Sequence, residues 1–427
     1  MGEHGEGDAR RLSKRNFTTR KLTNSSRYIK ADMRIVHIYK DYAPVLGGIE
    51  NHVRDLAEAQ AIAGHEVAVL VVQRRGLPAS DEILAGVRVV KAKRLLDVQS
   101  APIALSFPHD VARLTRGADI AHLHAPYPIG EACNLLFGHA RRTVITWHSD
   151  IVRQKTLLRF YAPLLRRVLA RADRILPTSE IYARSSPWIS PHLAKCTVVP
   201  LGIDPQRFAP RESTLARAAE LRAQWTAGDD SRLVVLSVGR LRYYKGLDDL
   251  IRALVERSDV LAVIAGDGPM RAEWQALADS LGVAERVRFV GSPSDDDLPA
   301  CFRAADAYAL PANVRAEAFG IAVLEAMASG LPVLTTEVGS ATSWINQDGV
   351  TGYVVPPQDP PALAAALGQL QNAATRWRLG NAAAARVQTE FTRKLMVQRV
   401  EAAYQTTDDR LQTIDDGRMT DGLARVQ

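Results

Sequence analysis

Residues 233–266 read LVVLSVGRLRYYKGLDDLIRALVERSDVLAVIAG. Two apolar runs, 233–239 and 260–266, flank a charged, helix-like stretch, and each run ends in glycine. Neither run alternates apolar with polar positions. Strands buried on both faces look like this, and such strands belong to parallel sheets covered by helices. The pattern continues outward in both directions. Toward the C-terminus follow VRFVG (287–291), AYALP (307–311), PVLTT (332–336) and GYVVPP (352–357). Toward the N-terminus lie MRIVHIY (33–39), VAVLVV (67–72), VRVVKA (87–92), DIAHLH (119–124), TVITWH (143–148), RILPTS (174–179) and TVVPLG (197–202). Strand followed by helix, repeated through both halves, predicts an α/β protein of two Rossmann-like domains.

The length of 427 residues suits two or three domains. The boundary is placed at PLGIDPQRFAP (200–210), whose three prolines and one glycine break regular structure. The expected domains are 33–205 and 206–390, with an amphipathic helix at 391–407 returning to the first. Residues 1–32 read as a polar, basic extension, with Met33 as an alternative start, and 408–427 as a polar tail.

Composition excludes several classes. No uninterrupted apolar run reaches the ~18–20 residues that span a bilayer, and the charged N-terminus lacks the apolar core of a secretory signal. Cys133, Cys196 and Cys301 are too few and too scattered for a disulfide framework or a CxxC metal site, and they suit a reducing cytoplasm. The net charge of +7 is local. Residues 151–176 carry Arg153, Lys155, Arg159, Arg166, Arg167, Arg171 and Arg174 against Asp173 alone. One basic segment on a near-neutral body, without a nucleic-acid-binding motif, argues against nucleic acid as partner.

In open parallel sheets, ligands bind beyond the carboxyl ends of the strands, so the loops there carry the candidate chemistry. Gly47 and Gly48 precede a helix beginning near Ile49, where the backbone can approach a ligand and free N–H groups face an anion. His124 and His148 end the fourth and fifth strands, where catalytic side chains collect; each is also readable as a buried structural histidine. Arg240 and Lys245 follow a strand of the second half, and two cations at that spacing suit a diphosphate. AGDGPM (265–270) brings further glycines. In EAFGIAVLEAMASGLP (317–332), Glu317 precedes a helix and Glu325 lies within it. At ~1.5 Å rise per residue the two carboxylates are about 12 Å apart along the axis, too far to flank one bond and suited to gripping two parts of an extended ligand.

These motifs, in this order, resemble the retaining nucleotide-sugar glycosyltransferases of family 4, which have the GT-B fold: two Rossmann-like domains facing a central cleft. The resemblance rests on GGIEN (47–51), WHSD (147–150), VVPLGID (198–204), VGRLRYYKG (238–246), IAGDGP (264–269) and the pair Glu317 and Glu325. It extends from about Met33 to residue 405. WHSDIVRQK (147–155), ARADRILPTS (170–179) and EAFG (317–320) look most like bacterial mannosyl- or rhamnosyltransferases of O-antigen and exopolysaccharide assembly. The resemblance implies that Gly47, Gly48, Gly239 and Gly268 approach the donor and that Arg240 and Lys245 neutralise its diphosphate. It implies that Glu317 binds sugar hydroxyls, with backbone N–H groups of Phe319, Gly320 and Ile321 nearby, and that Glu325 holds the ribose. His148 is expected beside the reacting carbon, with Asp150 and His124 on the acceptor side.

The implied reaction moves a hexose, mannose or rhamnose from a GDP-sugar, to a glycan or lipid-linked acceptor, with retention and with neither metal nor cofactor. A UDP-sugar donor, a nucleotide-sugar epimerase or phosphorylase, and an inactive nucleotide-binding protein are the alternatives. The basic segment reads as a helix, interrupted at Pro163, resting on an anionic membrane through Arg153, Lys155, Arg159, Arg166 and Arg167. The expected location is the cytoplasm, with peripheral contact at the inner face of the cell membrane.

Overall fold

A computed structural model describes residues 33–44, 47–98, 101–151, 155–229 and 231–405. The extension 1–32, the tail 408–427 and Arg153 lie outside the described residues. The first lobe contains β1 (Arg34–Ile38), β2 (Glu66–Val72), β3 (Ser80–Leu84), β4 (Val87–Ala92), β5 (Leu96–Val98), β6 (Ala101–Ile103), β7 (Ile120–Ala125), β8 (Arg142–Trp147) and β9 (Arg174–Pro177). The second contains β10 (Leu233–Val238), β11 (Val260–Ala265), β12 (Val287–Gly291), β13 (Ala307–Leu310), β14 (Val333–Thr336) and β15 (Gly352–Val355).

The second sheet runs β12-β11-β10-β13-β14-β15, all parallel, the strand order of a dinucleotide-binding fold. The first runs β3-β4-β2-β1-β7-β8-β9. Without β3 it has the same winding, because β3 is an antiparallel edge strand added by a hairpin to β4. Its sequence, SDEIL, is mostly exposed, so it lacks the apolar run that marks the other strands. The small antiparallel pair β5–β6 has three residues in each strand, too short to show a pattern.

TVVPLG (197–202) is not a strand. It touches β9 through Thr197 N–H to Ile175 O (2.9 Å) and Val199 N–H to Pro177 O (2.9 Å), and pairing stops there. Pro200 has no N–H to offer, and the chain must leave the sheet to reach the other lobe. Two segments make that crossing, and they pair with each other. Ile203 N–H donates to Phe391 O (2.9 Å), and Arg393 N–H donates to Ile203 O (2.7 Å). Gly202 is required by this approach, since a Cβ there would lie 2.5 Å from Thr392 O.

After the second crossing, the helix Arg393–Gln405 packs Met396, Val397, Val400, Ala403 and Tyr404 beneath the first sheet, against Ile35, Ile120, Val144 and Leu176. The loops beyond the carboxyl ends of the two sheets face one another. Arg315 reaches Asp150, Ser185 Oγ donates to Gly339 O (3.1 Å), and Ala318 joins the apolar cluster of the first lobe.

Candidate active site

The second lobe builds a charged cradle. After β10 the chain makes a short turn, Tyr243–Lys245, and then the helix Leu247–Ala253. Lys245 Nζ lies 2.8 Å from Glu317 Oε2, with only 13% and 11% of the two side chains exposed. Burial opposes the charge on Lys245. Glu317 overcomes it, with help from Tyr244 and Glu325, and the ammonium is held above the ordinary lysine range. Gly239 backs onto this lysine: a Cβ there would sit 3.3 Å from Nζ. Gly268 packs on the Leu241 backbone, and Arg240 stands exposed at the rim.

Phe319 turns its ring into the core, leaving the backbone to shape the site. Gly320, at φ +82°, caps the helix Ile321–Ala328 without a side-chain hydrogen bond. A helix N-terminus of this kind presents unsatisfied N–H groups and a partial positive charge. Because regular helix begins only at Ile321, the helical rise does not apply between Glu317 and the cap, and the ~12 Å spacing assumed for Glu317 and Glu325 has no basis there. Both carboxylates act on Lys245. Burial pushes the Glu325 carboxyl up to about 7, against the pull of Arg207 and Lys245.

The first lobe closes over this cradle. Gly47 caps the helix Gly48–Ile62, and a Cβ on Gly48 would lie 3.4 Å from Ile321 Cδ1 across the cleft. Asp150 is held fast: Trp147 Nε1 (3.0 Å) and Ser186 Oγ (2.6 Å) donate to Oδ1, and Arg315 Nη2 lies 3.2 Å from Oδ2. Arg315 also donates to Ser185 O (2.7 Å) and covers the Tyr182 ring at 4.9 Å. Asp150 thus joins the lobes. Arg315, two residues before Glu317, has no spacing that marks it in sequence.

The two histidines singled out from sequence belong to a buried set of five. His37, His52, His122, His124 and His148 pack ring against ring at centroid separations of 4.6–5.6 Å, His52 edge-on to His124 and His148. Burial lowers His37 to about 4 and His52 to about 3, and holds the other three well below the ordinary value, so the set is neutral. His124, expected at the acceptor, is fully buried with its two ring nitrogens against His37 (3.0 Å) and His148 (3.1 Å). It lies behind His148, not on the cleft. His148 Nδ1 and both nitrogens of His52 are buried without a partner. Each such group costs about 1–3 kcal/mol, a penalty a ligand would relieve.

The basic segment forms the helix Lys155–Arg171, which continues through Pro163 instead of being interrupted there, with Pro163 on the exposed side. Tyr161, Leu165, Val168 and Leu169 pack inward, while Arg159, Arg166 and Arg167 are exposed. Arg166 rests over the Trp188 ring at 5.9 Å. The side chain of Lys155 lies outside the described residues. Phe160 is 81% exposed beside Arg159, and Leu136 and Phe137 are exposed on the adjoining helix Pro128–Phe137. Among the described residues, no helix is long and apolar enough to cross a membrane.

Two facing Rossmann-like lobes with a buried cation–carboxylate pair in the cleft define a GT-B architecture. Comparison with known proteins agrees. Residues 46–207 match the model of "Glycosyltransferase Family 4", and 219–386 that of "Glycosyl transferases group 1". The chain is 34% identical to O-antigen chain mannosyltransferase C of Escherichia coli, over 88% of this chain and 98% of that one. It is 35% identical to the D-rhamnosyltransferase WbpZ of Pseudomonas aeruginosa, over 84% and 92%. Sucrose-phosphate synthase of Thermosynechococcus elongatus superposes with a TM-score of 0.73 at 24% identity, covering 88% of this chain and 100% of that one. HepE of Anabaena, solved with UDP, superposes with a TM-score of 0.70 at 20% identity, covering 88% and 100%. The chain belongs to the family 4 glycosyltransferases.

Proposed function

We propose that this glycosyltransferase moves mannose or rhamnose from a GDP-sugar to a hydroxyl of a glycan or polyprenyl-linked glycan in O-antigen or exopolysaccharide assembly, with retention at the anomeric carbon. The observation that carries the site assignment is the buried Lys245–Glu317 pair beside the open helix end at Gly320, with Gly48 of the opposite lobe against Ile321. The named activities of the bacterial relatives support the sugar, and a mycobacterial relative at 33% identity is described as GDP-mannose-dependent.

The chemical burden of such a transfer is charge. The diphosphate becomes more negative as it departs, and the sugar becomes oxocarbenium-like. Lys245, Arg240 and the N–H groups at Gly320–Ile321 meet that charge without reorganising. Glu317 positions Lys245 and sugar hydroxyls; Glu325 takes the ribose. Gly47, Gly48, Gly239 and Gly268 let backbone approach the donor, and His148 sits by the sugar. The departing phosphate oxygen takes the acceptor proton, so neither a metal nor a protein nucleophile is required. Lys245→Ala should lower kcat by ~10²-fold or more, with activity unchanged by EDTA. Near-normal turnover in the variant would remove Lys245 from this role.

Thermal-shift titration separates the donors. A ligand at a hundred times its Kd adds ~2.7 kcal/mol of stability. GDP and GDP-mannose should therefore raise Tm more than UDP or dTDP species. Preference for UDP-sugars favours the second donor reading, for which the fold of HepE with UDP is the precedent. Epimerised sugar without an acceptor, or nucleotide binding without turnover, would select the remaining alternatives. The face carrying Arg159, Arg167 and Phe160 suits an anionic membrane, at ~1 kcal/mol per basic residue near the surface. Absence of co-sedimentation with anionic liposomes at low salt would end that reading.

A further inference from the structure

The five buried histidines are not an isotropic cluster. Four groups form a directed line from the base of the first lobe to its cleft edge. Gln60 Nε2 donates to Tyr404 OH (3.3 Å), which leaves Gln60 Oε1 to accept from His37 Nε2–H (2.7 Å). A neutral imidazole carries one proton, so His37 Nδ1 must be an acceptor, and His124 Nε2–H donates to it (3.0 Å). The same rule then makes His124 Nδ1 the acceptor for His148 Nε2–H (3.1 Å). His148 has spent its proton inward, and its Nδ1 is left as a bare lone pair with no protein partner.

A parallel branch is compatible with this polarity: Tyr404 OH lies 2.6 Å from His122 Nδ1, and His122 Nε2 lies 2.7 Å from Thr146 Oγ1. The polarity begins at an amide, which cannot take up a proton, so the line transmits a tautomer and not a charge. His52 stands edge-on to His148 at 5.0 Å, and neither of its ring nitrogens has a partner. A bare lone pair beside an unpartnered N–H suits a hydroxyl, which donates and accepts at once. Two sets of three histidine nitrogens, His37/His122/His124 and His52/His124/His148, lie within 4.8 Å. In each set His124 already faces another ring at hydrogen-bond distance, so the contacts are those of imidazole pairs.

We infer that Gln60 is a positioning residue for sugar transfer: through His37 and His124 it fixes His148 as the Nε2–H tautomer, so that Nδ1 accepts a hydrogen bond from a hydroxyl of the transferred sugar. This rests on the placement of His148 beside the donor sugar.

NMR of the full chain labelled with 15N-histidine, with His148 assigned from His148→Gln, tests it directly. Wild-type His148 should show an unprotonated, pyridine-type Nδ1 and a protonated Nε2. A protonated Nδ1, or stoichiometric zinc on the purified protein, would overturn the inference. In Gln60→Met the anchor is gone: both tautomers of His148 should appear, and kcat/KM should fall about 10-fold, the loss of roughly one hydrogen bond. The pair Gln60→Met/His148→Gln should be no slower than His148→Gln alone; additive losses would show that Gln60 acts on stability instead. Wild-type turnover in His148→Gln would remove the sugar contact, and with it any part of Gln60 in transfer, even where wild-type His148 shows the expected tautomer.

Discussion

At the scale of single residues, the ribose contact proposed for Glu325 would join stability to ligand binding. Folded Glu325 keeps its proton to about 7, against a usual value of 4.5. Between those limits the native state binds more protons than the unfolded chain, so this group's contribution to stability falls as pH rises through the window. Glu325→Gln removes that fall. The Tm advantage of the variant over wild type should grow from pH 4.5 to 7 and then level; a constant difference would contradict the assignment. If Glu325 holds the ribose as proposed, nucleotide hydroxyls favour the ionised carboxylate, so wild-type affinity for nucleotide should be higher above pH 7 than at pH 6, and the variant should lose that dependence. The identities of Lys245, Glu317 and Glu325 as site candidates were legible because acids and cations interrupt otherwise apolar strand-to-helix runs. Gln60, His37 and Arg315 were not: a glutamine on a helix and a histidine on a strand look like ordinary positions until three elements bring them together.

At the scale of the element, the helix Ile321–Ala328 depends on how it begins. Gly320 adopts φ +82°, and a Cβ there would meet Leu310, Thr342 and Val323 side chains at 3.2 Å each. Strain of this kind costs of order 1–3 kcal/mol. Gly320→Ala should lower stability in urea by about that amount and, on the proposed phosphate contact at this cap, weaken nucleotide binding. A variant as stable as wild type would show that the cap relaxes freely. All six strands of the second sheet can be read from sequence because each is a short apolar run, and β10, β11, β13 and β14 are buried on both faces. In the first lobe the exposed β3 carries no such mark, and TVVPLG has strand composition but pairs with β9 only as far as Val199, because its role is to leave the sheet.

At the scale of the whole molecule, polar contacts tie the lobes beside the apolar seat of Ala318. Arg315 spans the cleft, ion-paired to Asp150 and lying on Tyr182. Its removal leaves Asp150 with Trp147 and Ser186, so the first lobe keeps its own structure. Arg315→Ala should therefore raise KM for the donor more than it changes Tm, and should increase the radius of gyration by small-angle scattering in the absence of ligand. Unchanged scattering together with unchanged KM would mean that the ion pair does not hold the lobes.

The paired crossings at Gly202–Ile203 and Thr392–Arg393 set what kind of motion remains. A single tether would let one half swivel on the other like a ball in a socket. Two tethers laced together resist torsion and leave flexion about one line, so Gly48 and Ile321 return to the same register at every turnover.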